Sequence, residues 1–228
     1  MTKVGIVSDI HGDIASLDGA LARIHEMGCT MVLCPGDLLD GVEPFSEEVV
    51  QRMKAENVVT ILGNHERWAI ERRRRQPDPR GSVPSIVEPA DLFTGGAKLS
   101  RESLAYLRTL PSRWEGVVEG VRLAMHHARP GSDVEGITVE TTSPTLRRRL
   151  LAQFGAEILI VGHTHDAFNM ATEKGRIINP GACCSKTHGK KTSEGYRPAT
   201  FGVLELPSKR FMVFRVVDGG RVRVGTRR

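Results

Sequence analysis

The spacing of apolar residues changes several times along the chain, and each change marks an element. Residues 3–8 (Lys-Val-Gly-Ile-Val-Ser) form a short apolar run that predicts a buried strand. Leu17, Ala20, Leu21, Ile24 and Met27 then recur at helical spacing until Gly28 stops the helix. Residues 30–34 predict a second strand, broken by Pro35-Gly36, and residues 58–62 a third. Between them Ser46 is placed to cap a helix whose inner face is Val49, Val50 and Met53. Strands alternating with helices predict an α/β fold with a parallel core.

The second half is richer in strands. Ser100 is placed to cap a helix carrying Leu104, Leu107 and Leu110, which Pro111 ends. Residues 114–119 and 121–125 read as two strands parted near Gly120, and Ser143-Pro144 opens a helix over 145–154 that Gly155 closes. Alternation then predicts strands at 167–172, 176–178, 199–206 and 211–217. Residues 67–98 fit neither period for long. A basic helix-like run passes into Gln76-Pro77-Asp78-Pro79-Arg80-Gly81, and the segment is expected to be a surface excursion that selects substrate. Nothing divides the chain, so residues 1–228 are expected to form a single domain.

Composition narrows the class without naming a chemistry. An apolar fraction of 39% and a charged fraction of 26% are those of a globular protein, and no apolar run approaches the roughly 20 residues of a membrane span. With no leader pattern after Met1, the default expectation is the cytoplasm. The net charge of +5 comes from Arg72 to Arg75, Arg147 to Arg149 and a tail containing Arg221, Arg223, Arg227 and Arg228. No aromatic residues interleave with these clusters to stack bases, so solvated faces and a loose tail are favoured over a nucleic-acid site. Cys29, Cys34, Cys183 and Cys184 lack zinc-site spacing, and reduced thiols are favoured over a strained Cys183-Cys184 disulfide.

The chemistry lies where the apolar runs stop. Asp9/His11, Asp37/Asp40, Asn64/His65, His126/His127 and His163/His165 each follow a predicted strand. In sheets of this kind ligands gather at the carboxyl ends of strands, where backbone groups remain free. A lone Asp-x-His is more often a chance surface pair, and Gly-Asp-x-x-Asp alone can be turn chemistry. Five such groups in succession are poorly explained that way. Carboxylate and imidazole donors with open positions suit divalent ions that hydrolyse phosphoesters. Asp37 is the natural bridge, giving one oxygen to each of two cations.

Ser8-Asp9-Ile10-His11-Gly12, Gly36-Asp37-Leu38-Leu39-Asp40, Gly63-Asn64-His65-Glu66, His127-Ala128-Arg129-Pro130 and Gly162-His163-Thr164-His165 resemble the five motifs of the calcineurin-like metallophosphoesterases. Residues 40–44, 103–111 and 178–182 resemble stretches of the small bacterial phosphodiesterase branch. The resemblance implies a four-layer αββα sandwich of two mixed β-sheets with a dimetal site at the sheet edge. It implies Asp9, His11 and His165 on one ion, Asn64, His127 and His163 on the other, and Asp37 between them. His65 is the implied catalytic histidine, bound to neither ion, and Asp40 orients neighbouring groups from behind the ligands. The His-Ala-x-Pro form selects His127 over His126. The implied activity is a phosphodiesterase in which a hydroxide activated by two ions attacks phosphorus. A phosphomonoesterase or phosphoprotein phosphatase is the alternative, and a scaffold without activity on the same fold is a third reading. Mn²⁺ is favoured, with Fe/Zn or Mg²⁺ also compatible with the donors, and the expected partner is a small phosphoester, with nucleotides in range.

Overall fold

The computed structural model describes residues 1–40, 46–74, 99–185, 198–222 and 224. Strands β1 (Thr2–Ile6), β2 (Met31–Cys34) and β3 (Val59–Thr60) pair in parallel, as the alternation with helices predicts. The sheet then turns mixed. β9 (Thr200–Leu206) returns antiparallel beside β1, followed by β10 (Arg210–Arg215) and β11 (Arg221–Val222), giving the order β11-β10-β9-β1-β2-β3. A second mixed sheet has the order β4-β5-β6-β8-β7, from β4 (Arg113–Val118), β5 (Val121–His126), β6 (Ile158–Ile160), β7 (Phe168–Ala171) and β8 (Arg176–Asn179). Here β5, β6 and β8 are parallel, and β4 and β7 close the two edges antiparallel.

Three apolar clusters reveal the stacking. The first joins one face of the β1 sheet to helices α1 (Ile14–Glu26), α2 (Ser46–Ala55), α3 (Asn64–Arg74) and α4 (Arg101–Leu107), through Leu17, Ile24, Val49, Met53, Leu104 and Val203. The second sets Val4, Ile6 and Leu33 against Leu123, Met125 and Ile160, so the two sheets face each other. The third packs Leu150 and Leu151 of α5 (Pro144–Gln153) on Ala124, Leu159 and Ile177. Adjacent residues such as Val203 and Leu204, or Leu159 and Ile160, fall in different clusters because strand side chains alternate between faces. The result is helices, sheet, sheet, helix. Burying Leu17 or Ile24 fully contributes about 1.5–3 kcal/mol each, and these periodic positions decide the layering.

The caps are mostly where polar residues precede apolar periodicity. Ser100 accepts from Ser103 N–H at 3.0 Å and Ser143 from Leu146 N–H at 3.3 Å. Three expectations need correction. α4 stops at Leu107, and Leu110 N–H closes a tighter turn onto the Leu107 carbonyl at 3.2 Å, so Leu110 is not on the helix. Ser46 is the first residue of α2. Residues 221–222 of the expected loose tail form β11 on Val213 and Phe214, since the Asp218 carboxylate caps a turn by accepting from Gly220 N–H at 2.8 Å. The excursion expected over 67–98 begins as helix α3, and its remainder from 75 lies outside the described residues, as do the side chains of Arg72 to Arg75. All four cysteines are free. No helix among the described residues is long and apolar enough to cross a membrane.

Candidate metal centre

Loops leaving β1, β2, β3, β5 and β6 meet at one edge of the sandwich because backbone bonds lace them together. Asp9 N–H donates to the Gly36 carbonyl (3.1 Å), Ile10 N–H to the Asp37 carbonyl (2.8 Å) and Gly162 N–H to the His127 carbonyl (2.8 Å). The turns are tight enough to need glycine. A Cβ on Gly63 would lie 2.1 Å from Asp37 Oδ1, and one on Gly162 would lie 2.2 Å from Ser8 Oγ. Asp9, His11, Asp37, His163 and His165 themselves sit at φ of 53°, 48°, 57°, 66° and 59°. Such left-handed residues cost ~1–3 kcal/mol each and persist only where surrounding structure forces them. All five are residues predicted as ligands.

The imidazoles are locked from behind. His11 Nδ1 lies 3.2 Å from the Leu39 carbonyl, His127 Nδ1 2.8 Å from the Pro35 carbonyl, and His163 Nε2 3.0 Å from the Val134 carbonyl. A carbonyl only accepts, so each of these nitrogens carries a proton and the opposite nitrogen is the one turned to the cluster. Those opposite nitrogens converge. His11 Nε2 is 3.0 Å from His165 Nε2, which is 3.5 Å from Asp9 Oδ1. His127 Nε2 and His163 Nδ1 lie 3.0 and 3.1 Å from Asn64 Oδ1, and His127 Nε2 lies 3.3 Å from Asp37 Oδ2. His11 Nε2 is 3.9 Å from the same Asp37 oxygen, which therefore faces both groups.

The separations of 3.0–3.3 Å match the spacing of donors that share one ion. Donors about 2.1 Å from one ion stand roughly 3.0 Å apart in octahedral and 3.4 Å apart in tetrahedral geometry. Acceptor atoms this close repel unless a proton or a cation lies among them. Burial disfavours charge on His127, yet Asp37 outweighs it and pushes the ring up to about 10. Burial likewise opposes the Asp37 charge, but His127, His65 and His11 hold its carboxyl well below the usual range. Burial and then His127 push His163 below its ordinary value, which keeps its lone pair available. The residues present thus fit divalent ions, and three clusters could hold them: Asp9, His11 and His165; His11, Asp37 and His65; Asp37, His127 and His163.

His65, the second residue of α3, donates its backbone N–H to Asp37 Oδ1 at 3.1 Å and rests its ring on Trp68 and His11 with centroids at 5.2 and 4.6 Å. Its Nε2 is 4.0 Å from Asp37 Oδ2. Asp40 is buried, lies in none of the three clusters, and holds its loop by donating its backbone N–H to Ser46 Oγ at 3.3 Å. His126 and His127 point to opposite faces, as successive residues at a strand end must. The His126 ring packs on Phe154 at 4.7 Å, away from the cluster.

Two residues without a predicted role brace the loops. Glu66 is fully buried and accepts four backbone N–H bonds, from Asp37 and Gly63 at 2.9 Å on Oε2 and from Leu38 (2.9 Å) and Leu39 (3.1 Å) on Oε1. Asn179, also fully buried, donates to the Gly162 carbonyl at 2.9 Å and accepts from Gly181 N–H at 2.8 Å. Both stand in motifs visible in the sequence, but an acid in a helix's first turn ordinarily signals only the helix dipole. Beside His127 opens a cavity of about 370 Å³ walled by Leu62, Arg67, Ser112, His126, Ser132 and Asp133.

A two-sheet sandwich with carboxylate, amide and imidazole donors gathered at its edge is the architecture of metal-dependent phosphoester hydrolases. The chain belongs to the calcineurin-like phosphoesterase superfamily, whose domain model matches residues 2–206. It is therefore a hydrolase acting on phosphoric ester bonds. It is similar to the crystal structure of a hypothetical protein from Pyrococcus horikoshii OT3, with a TM-score of 0.74 and 20% identity over 94% of this chain and 88% of that one. A metallophosphoesterase from Sphaerobacter thermophilus aligns with a TM-score of 0.70 and 20% identity over 98% of this chain and 89% of the other. An uncharacterized protein of Methanocaldococcus jannaschii is 23% identical over 187 residues, covering 79% of this chain and 69% of the relative.

Proposed function

We propose that the protein is a phosphodiesterase working with two divalent ions, Mn²⁺ favoured. The observation that carries this is the convergence of four imidazoles, three of them locked by backbone carbonyls, with two carboxylates and an amide oxygen at 3.0–3.9 Å. Asp9, His11 and His165 would hold one ion, Asn64, His127 and His163 the other, with Asp37 between them. Ions bound there supply polarisation of the phosphoryl oxygens and activation of a water nucleophile. His65 stands at the rim, its side chain 15% exposed, where it can donate to the leaving oxygen or offset charge developing on phosphorus. Asp40 fixes the loop behind Asp37.

Charge among the described residues favours the diester. The arginine in the adjoining cavity, Arg67, is held by Asp133 in that wall and by Glu71, so its charge is largely offset. A singly charged diester needs less compensation than a monoester dianion. The expected substrate is a small phosphodiester, with nucleotides in range.

The test is hydrolysis of bis(p-nitrophenyl) phosphate beside p-nitrophenyl phosphate by metal-stripped protein with Mn²⁺ added back. Turnover that needs the metal and favours the diester is expected. Preference for the monoester would promote the phosphatase reading, and folded protein inactive with every metal tried would leave the scaffold reading in its place.

A further inference from the structure

His163 differs from the other locked imidazoles in what fixes it. His11 and His127 lean on carbonyls of Leu39 and Pro35, inside the laced loops of the site. His163 leans on Val134, in the loop of residues 129–135 that reaches over from β5 and is half exposed at that residue. An imidazole held by an exposed loop is only as well oriented as the loop itself.

The loop is fixed from two sides. The peptide that joins Val134 to Glu135 offers its carbonyl to His163 Nε2 at 3.0 Å, and its N–H donates to Ser132 Oγ at 3.0 Å. Ser132 Oγ also accepts from Val134 N–H at 3.2 Å, and Arg129 N–H closes the loop onto the Glu135 carbonyl at 2.8 Å. Asp133, the residue between, is gripped by Arg67 through one guanidinium edge, Nη2 to Oδ1 at 3.0 Å and Nε to Oδ2. Arg67 is itself braced by Glu71 one turn along α3 at 3.1 and 3.2 Å. An isolated surface pair adds little, but a forked arginine on a carboxylate fixes direction as well as distance.

We propose that Arg67, Asp133 and Ser132 form a clamp that positions His163 for its ion, making Arg67 a positioning residue for the centre. Helix α3 then sets two donors of one ion. Asn64 enters directly at its first residue, with Oδ1 3.1 Å from His163 Nδ1, and Arg67, one turn later, governs the far nitrogen of the same ring. The clamp keeps the proton on Nε2 and the lone pair on Nδ1, aimed at the position shared with Asn64 and His127. This rests on the two-ion reading.

The test counts ions without reference to turnover. Metal-stripped wild type, Arg67→Gln, Asp133→Asn, Ser132→Ala and the control Arg129→Gln are titrated with Mn²⁺, and free Mn²⁺ is read by electron paramagnetic resonance. Arg129 is in the same loop, and among the described residues its side chain pairs with Glu135 at 3.4 Å. The clamp variants are expected to bind one ion as wild type does and the other about 10- to 100-fold more weakly, the usual effect of removing a partner behind a ligand. The control is expected to match wild type. Thermal melts of the stripped proteins confirm folding, and ¹⁵N shifts of the His163 ring should show the Nε2-protonated form in wild type and a mixture in Arg67→Gln. Both affinities unchanged from wild type in the clamp variants, with an unchanged tautomer, would overturn the clamp. A rise in KM with unchanged ion binding would also overturn it and make Arg67 a substrate contact. Wild type that takes up no Mn²⁺ would instead sink the two-ion reading beneath it.

Discussion

Glu66→Gln is the most informative single change outside the donors. The carboxylate spends each oxygen on two backbone N–H groups, and all four belong to the turns carrying Asp37 and Asn64. Glutamine keeps the shape but turns one acceptor into a donor. Whichever oxygen is replaced, two buried N–H groups meet an NH₂. Hydrogen bonds to a charged acceptor are worth about 1.5–3 kcal/mol each, so the loss is about 3–6 kcal/mol. A domain of this size loses about 2–4 °C of Tm per kcal/mol, which predicts a fall of at least about 6 °C. The upper end approaches the whole stability of many domains, about 5–15 kcal/mol, so the melt is best followed with and without Mn²⁺. Calorimetry of the metal-stripped protein is the assay. A Tm within about 2 °C of wild type would show that these amides find other partners, and the bracing role would be withdrawn.

Two further outcomes follow from the geometry. His65→Asn should bind the same number of ions as wild type while kcat drops by about 10²–10⁴, the range of a general acid, and loss of an ion on titration would instead make His65 a ligand. Glu47 is held below its ordinary 4.5: burial works against this, and donors from Ser100, Gln51 and Ser103 outweigh it, tying α2 to α4. A depressed carboxyl stabilises the fold above its unfolded pKa and loses that contribution as pH falls through the folded one. The stability gap between wild type and Glu47→Gln in urea titrations should therefore be full near pH 6 and shrink below about pH 4.5; a gap independent of pH would refute the assignment.

Much of the layout was legible because burial writes itself into the chain. The runs before Asp9, Asp37, His127 and His163 are buried parallel strands, which read as continuous apolar segments, and their ends bring the predicted ligand residues to one edge. The motif favours His127 over His126, and strand alternation turns the His127 ring toward Asp37 and the His126 ring toward Phe154. What stayed hidden depends on partners far along the chain or on the backbone. The targets of Glu66 lie up to 29 residues away, and the Val134 carbonyl that fixes His163 carries no side-chain signature. β11 is two residues long, too short for any period to show. Leu110 keeps helical spacing although the chain has already tightened into a turn.

The left-handed backbone at Asp9, His11, Asp37, His163 and His165 has an evolutionary consequence. Glycine would adopt those angles without the steric penalty, although it gives up part of the gain to its larger entropy when unfolded. A library screened only for thermal tolerance would thus be pulled toward glycine at some of these positions, yielding sturdier proteins with fewer donors. Heat-tolerant descendants that still carry all five side chains would be those in which a demand for chemistry had opposed that drift.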